Sequence, residues 1–165
     1  MRPSILFGTI ATVSCAFLLV VPVGSTAQDS LGGFGHSAQK IENDELIRAT
    51  DLALRGQRLT EAEALLSKLP DEQLSDVERD DVRLLRGEFL IAVGRPIEAG
   101  TVLRTLSVEA RSQCRVLIAR ATADAQSQDF VNAELLLRSA VNDCSEDPAF
   151  WRTLGQASLA VNSSS

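Results

Sequence analysis

Three alanines, Ala62, Ala99 and Ala133, stand 37 and 34 residues apart, and turn-forming positions ahead of them, Gly56, Gly94 and Gln128, stand 38 and 34 apart. A spacing near 34 means a repeated supersecondary unit, in which each copy cannot hide its apolar side alone and must stack on the next. From about Ile41 onward the apolar residues follow one another at steps of three and four, the period of a helix with one buried face. Val, Ile and aromatics are sparse beyond residue 30, where Ala, Leu, Glu, Arg and Gln dominate, all of them strong helix formers. The chain is therefore expected to be all-α, and no segment alternates in the way a strand would.

Punctuation divides this stretch into seven predicted helices. The first covers about 41–55 and is closed by Gly56 in the left-handed conformation. A second opens on a capping box of Thr60 and Glu63 and closes at Leu69–Pro70. Ser75 and Glu78 repeat that box ahead of a third, which reaches Val93 before Gly94. Pro96 suits the first position of a fourth, ending near Leu106. Ser107 caps a fifth to about Ser127, Asp129 a sixth to about Asn142, and Asp147 with Pro148 starts a seventh to about Val161.

The second unit reads LLRGEFLIAVGRPIEAGTVLRTL, and its Leu-x-Gly, Gly and Glu-Ala positions resemble the tetratricopeptide repeat, a helix-turn-helix of about 34 residues. The third keeps Phe130, Ala133, Leu137 and Ala140 at matching places, and PAFWRTLGQASL supplies the Trp151-x-x-Leu154-Gly155 signature that opens such a repeat. The resemblance implies a short α-solenoid of stacked antiparallel hairpins over residues 40–161, about three and a half repeats, with the last helix as a cap. It assigns close packing to Ala62, Gly87, Gly94, Ala99, Ala133, Trp151, Leu154 and Gly155. Trp151 is expected to face a neighbouring helix, and the first unit to carry one extra residue in its turn.

The same resemblance places a concave peptide-binding groove on the first helix of each hairpin, at Leu84, Glu88 and Ile91 in one unit and Ile118, Thr122 and Ala125 in the next. These side chains mix apolar and small types with few bases, which favours a partner held by apolar contact. Leu84 and Ile118 have a second reading as core residues.

The first thirty residues differ from the rest. Leu6 to Val23 is an almost unbroken apolar run behind Arg2 and ahead of Pro22, Gly24 and Ser25-Thr26-Ala27. This is the pattern of a secretory signal peptide, residues 1–27, cut after Ala27; an uncleaved membrane anchor is the alternative for so long a run. Cys15 lacks a convincing lipidation box. Residues 28–39, rich in Gly and Ser, read as a flexible linker, and 162–165 as a disordered tail. Without the leader two cysteines remain, Cys114 and Cys144, near the start of one helix of a hairpin and the end of its mate. That places them within reach of a disulfide, with two buried thiols as the alternative.

Charge and composition narrow the function. A formal charge of −6 repels phosphate backbones, so no nucleic-acid partner is expected, and membrane contact only through an uncleaved leader. The single histidine, His36, lies in the Gly-rich stretch, tyrosine is absent, and Asp80 and Asp81 are neighbours that diverge on a helix. No convergent acid-base set, metal site or cofactor motif is visible. The expected function is that of a non-enzymatic scaffold, exported to the periplasm or secreted, that binds a protein or peptide partner of the cell envelope, in assembly of a pilus, secretion or outer-membrane machine; the alternative is a helical accessory domain of an envelope enzyme.

Overall fold

The computed structural model describes residues 32–69 and 74–163, with side chains from 39 onward. All regular structure among them is helical: α1 Gly32–Arg55, α2 Leu59–Leu66, α3 Asp76–Ala92, α4 Pro96–Arg104, α5 Val108–Arg111, α6 Cys114–Gln126, α7 Phe130–Ser139, α8 Val141–Cys144 and α9 Pro148–Ser163. None of these helices is long and apolar enough to cross a membrane. The expected leader and the first residues of the linker lie outside the described residues.

Local chemistry explains most of the helix starts. Ser75 and Glu78 close a reciprocal box at the start of α3: the Ser75 amide donates to Glu78 Oε2 at 2.8 Å, and the Glu78 amide to Ser75 Oγ at 3.4 Å. Ser107 Oγ accepts from the Ala110 amide, Asp129 from the Asn132 amide, and Asp147 from the Ala149 amide, while Pro96 and Pro148 take first helical positions.

Three turns share one backbone. Arg58 N donates to Ala53 O and Gln57 N to Leu54 O; Arg95 N donates to Leu90 O and Gly94 N to Ile91 O; Asp129 N donates to Asp124 O and Gln128 N to Ala125 O. This is the Schellman pattern, and its left-handed residue is Gln57 (φ 54°), Gly94 (φ 76°) or Gln128 (φ 67°). Gly56 is therefore not the left-handed residue, as its type suggested; its neighbour Gln57 is. Gln57, Gly94 and Gln128 are 37 and 34 apart, the same as the alanines, so the first turn carries no extra residue.

The turn also explains why Thr60 does not cap α2. Arg58 occupies the capping position without a side-chain bond, and its carbonyl already accepts from the Ala62 amide, so the chain passes from one helix into the next before Thr60 is reached. Elsewhere helices are shorter or longer than expected. Gln113 is extended (φ −70°, ψ 137°) and divides the fifth into α5 and α6; Ala140 (φ −103°, ψ 6°) divides the sixth into α7 and α8. Backbone of the expected 28–39 linker is helical from Gly32, because extending an existing helix gains one hydrogen bond per residue without a new nucleus. Of the expected tail, Asn162 and Ser163 are still helical.

Each turn-linked pair is in contact, α1 with α2, α3 with α4 and α6 with α7, and the first members also touch in series, α1 with α3, α3 with α6 and α6 with α9. Three apolar clusters follow in chain order. Leu66, Leu69, Leu74, Val82 and Leu85 form the first; Leu84, Leu103, Leu106, Ala110, Val116 and Ala119 the second; Ala121, Ala133, Leu137, Ala140, Cys144, Phe150 and Ala157 the third.

The packing positions divide. Ala62, Ala99 and Ala133 are fully buried, and a Cβ built on Gly87 would lie 2.5 Å from Leu103 Cδ2, so helices do approach closely there. Leu154 packs half-buried against the third cluster. Trp151 does not face a neighbouring helix: it is 48% exposed, its Nε1–H donates to Ser145 O at 2.8 Å, and its ring meets Phe150 edge-on. Phe150 takes the buried place instead, because it stands 34 residues beyond Val116, itself 34 beyond Val82, and all three are buried. Gly155 is no close-approach site either, with nothing within 4 Å of a Cβ built there.

Candidate binding groove

Within the row α1, α3, α6, α9, one arginine of α6 ties α3 and α1 together. Arg115, second residue of α6, reaches Glu88 of α3 with Nε to Oε1 at 2.6 Å and Nη2 to Oε2 at 2.5 Å, and the same Nη2 donates to the Asp51 carboxylate of α1. Asp51 in turn accepts from Arg55 Nε at 2.8 Å. The hydrogen bonds to Glu88 push the Arg115 pKa further up than burial pulls it down, so the guanidinium stays charged although half-buried. A bidentate pair of this geometry fixes orientation as well as charge.

Arg115 separates two hollows. The larger, about 500 Å³, has an apolar floor of Leu54, Ile91, Ala92, Ile118, Ala119 and Ala149, with Thr122 on one side. Its polar frame is Arg55, Glu88, Arg115 and Asp147. The smaller, about 400 Å³, lies toward α1 between Ile47, Leu52, Leu84 and Leu85, with Arg48, Asp51 and Asp81 around it. Burial pushes the Asp81 carboxyl up, Arg115 opposes this, and Asp80, Asp44 and Glu78 add to the rise.

Of the predicted groove residues, Glu88, Ile91, Ile118 and Thr122 come together around the larger hollow. Leu84 is 6% exposed, belongs to the second cluster and walls the smaller hollow. Ala125 packs half-buried against the third cluster and lines neither of these hollows. The Thr122 hydroxyl donates to Ile118 O at 2.7 Å, which leaves its oxygen to accept from a ligand.

Asp51, Leu54, Arg55, Arg115, Asp147 and Ala149 were not anticipated. The repeat register would have pointed to two of them. Asp51 stands 37 residues before Glu88, so both acids share one register position, and Arg115 stands 34 after Asp81, seven residues earlier in the unit; two helical turns apart, the two positions lie on one face.

Cys114 is the first residue of α6 and Cys144 the last of α8, with Cα atoms 5.4 Å apart and the sulfurs at disulfide distance. Among the described residues no group of three or more His, Cys, Asp or Glu could hold a metal ion. No family model, curated protein or solved structure matches the chain.

Proposed function

We propose that this protein is an exported scaffold of tetratricopeptide-like hairpins whose first-helix face binds a segment of a protein partner in the cell envelope. The repeat reading is supported by the three equivalent Schellman turns, by Ala62, Ala99 and Ala133 buried in one register, and by the series of contacts from α1 to α9. Export is supported by the leader pattern and by the cysteine pair, since disulfides persist in oxidising compartments.

The observation that carries the binding assignment is the hollow of about 500 Å³ with an apolar floor inside a charged frame. Concave apolar sites with a few fixed polar groups are what ligands occupy. The frame has both signs, Arg55 and Arg115 against Glu88 and Asp147, and its charges already neutralise one another in part. The floor therefore supplies most of the affinity, by taking one or two aliphatic side chains of the partner, and the rim selects among them.

The test is capture of envelope proteins on the tagged domain, compared with Ile91→Arg and Ile118→Arg variants of unchanged helicity. Both substitutions place a charge on the floor and are expected to abolish retention of the specific partner. Retention undiminished by either would show that the partner sits elsewhere.

A further inference from the structure

We propose that the outer face of α9, Trp151, Gly155 and Leu159, is a second docking surface, distinct from the groove, that receives an amphipathic helix presenting a small residue and a leucine four positions later. Its residues are one helical stripe, spaced i, i+4 and i+8. Trp151 is 48% exposed, Leu159 is 73% exposed, and Gly155 has nothing within 4 Å of where a side chain would begin. The rest of α9 is already used: Phe150 and Ala157 are fully buried on another face, and Ser158, at the edge of the stripe, donates to Glu134 of α7.

The molecule itself shows what covers this stripe. Counting back 34 residues, Trp151, Gly155 and Leu159 correspond to Leu117, Ala121 and Ala125 of α6. Ala121 is fully buried and all three pack into the cluster that holds Ala133 and Leu137 of α7. Counting back once more, Gly155 corresponds to Gly87 of α3, which lies against Leu103 of α4. In both precedents the covering helix places a fully buried alanine and a fully buried leucine there, Ala99 with Leu103 and Ala133 with Leu137, each pair four residues apart. Among the described residues no helix plays that part for α9.

These precedents specify a helix with a small-x-x-x-Leu face as the occupant, here assigned to a partner protein. Arg152, exposed beside the stripe and in no ion pair among the described residues, adds a preference for a carboxylate on the occupant. Gly155 leaves a notch into which the small residue settles, and Trp151 and Leu159 close over its two sides. Both are large apolar side chains that water solvates poorly.

Trp151 is the only tryptophan in the chain, so its emission reports this face directly. The probe is a capped synthetic peptide of residues 95–106, the α4 segment, added to the full protein. Emission is expected to move to shorter wavelength and acrylamide quenching to fall, saturably. Gly155→Ala should keep the response, since Ala121 serves in the equivalent place, whereas Gly155→Leu fills the notch and should weaken the peptide roughly tenfold or more. The peptide carrying Leu103→Asp should have no effect. An emission unmoved by the peptide, or a shift that Gly155→Leu leaves intact, overturns the proposal. So does an emission that changes with protein concentration alone, which would make the occupant a second copy. Ile91→Arg should leave the Trp151 response unchanged, so failure here and failure of the groove are distinguishable.

Discussion

A methyl group added to Gly87 and one added to Gly155 meet opposite surroundings, although both residues occupy the same register of their helices. At Gly87 the new carbon would lie 2.5 and 2.7 Å from Leu103 Cδ2 and Cγ, and Leu103 is fully buried within the second apolar cluster. Gly87→Ala is expected to destabilise by about 1–3 kcal/mol through overpacking, despite the better helix propensity of alanine. At Gly155 the carbon meets nothing, so Gly155→Ala should stabilise by up to about 1 kcal/mol. Urea midpoints of the two variants should move in opposite directions; movement in the same direction would mean that the α3–α4 approach is looser than its geometry. The same pair shows how far residue type alone misleads. Glycine in a helix reads as a close contact in both places, but only the neighbour across the interface decides, and that neighbour is not part of the local sequence.

Among the elements, α3 has the start most completely specified by its own side chains, and it is sensitive to acid. Hydrogen bonds from the Ser75 side chain and backbone hold the Glu78 carboxyl below the usual range, against the effect of burial. A carboxylate whose folded pKa is depressed contributes stability above its unfolded pKa and loses it as pH falls through the folded value. Ser75→Ala should cost about 1 kcal/mol at neutral pH, and the loss should shrink once the medium is acidic enough to protonate Glu78. Stability curves of the two proteins at successive pH values should therefore converge toward low pH; parallel curves would show that Ser75 acts without Glu78. The starts of α3, α4, α7 and α9 were legible because a side chain or a proline announces each. The divisions at Gln113 and Ala140 were not, because backbone dihedrals make them where no residue type signals a stop. Around the larger hollow, Ile91, Ile118, Glu88 and Thr122 were the residues that the repeat resemblance singled out. Arg115 was not among them, since its bond to Asp51 joins residues 64 apart at different register positions, which meet only because α1 and α6 both pack against α3.

At the scale of the whole molecule, stability should be distributed unevenly, and the cysteine pair is the means of seeing it. Cys114 and Cys144 are 30 residues apart and enclose α6, α7 and α8, with Cys144 buried in the third cluster beside Phe150 and Ala140. Closing a loop of that length contributes about 3–4 kcal/mol in the chain-entropy model. If the units are coupled only to their neighbours, as in a stacked repeat array, this contribution stays in the third unit and its contacts instead of spreading to α1 and α2. Reduction, or Cys114→Ser with Cys144→Ser, should then lower amide protection mainly in α6, α7 and α9 while protection in α1 and α2 changes little. Trp151, on the helix that packs against α6 and α7, should report the loss at a lower denaturant concentration than total helicity does. Coincident transitions by both probes would instead mean that the nine described helices melt as one cooperative body, and an unchanged transition on reduction would mean that the two sulfurs are not bonded in solution.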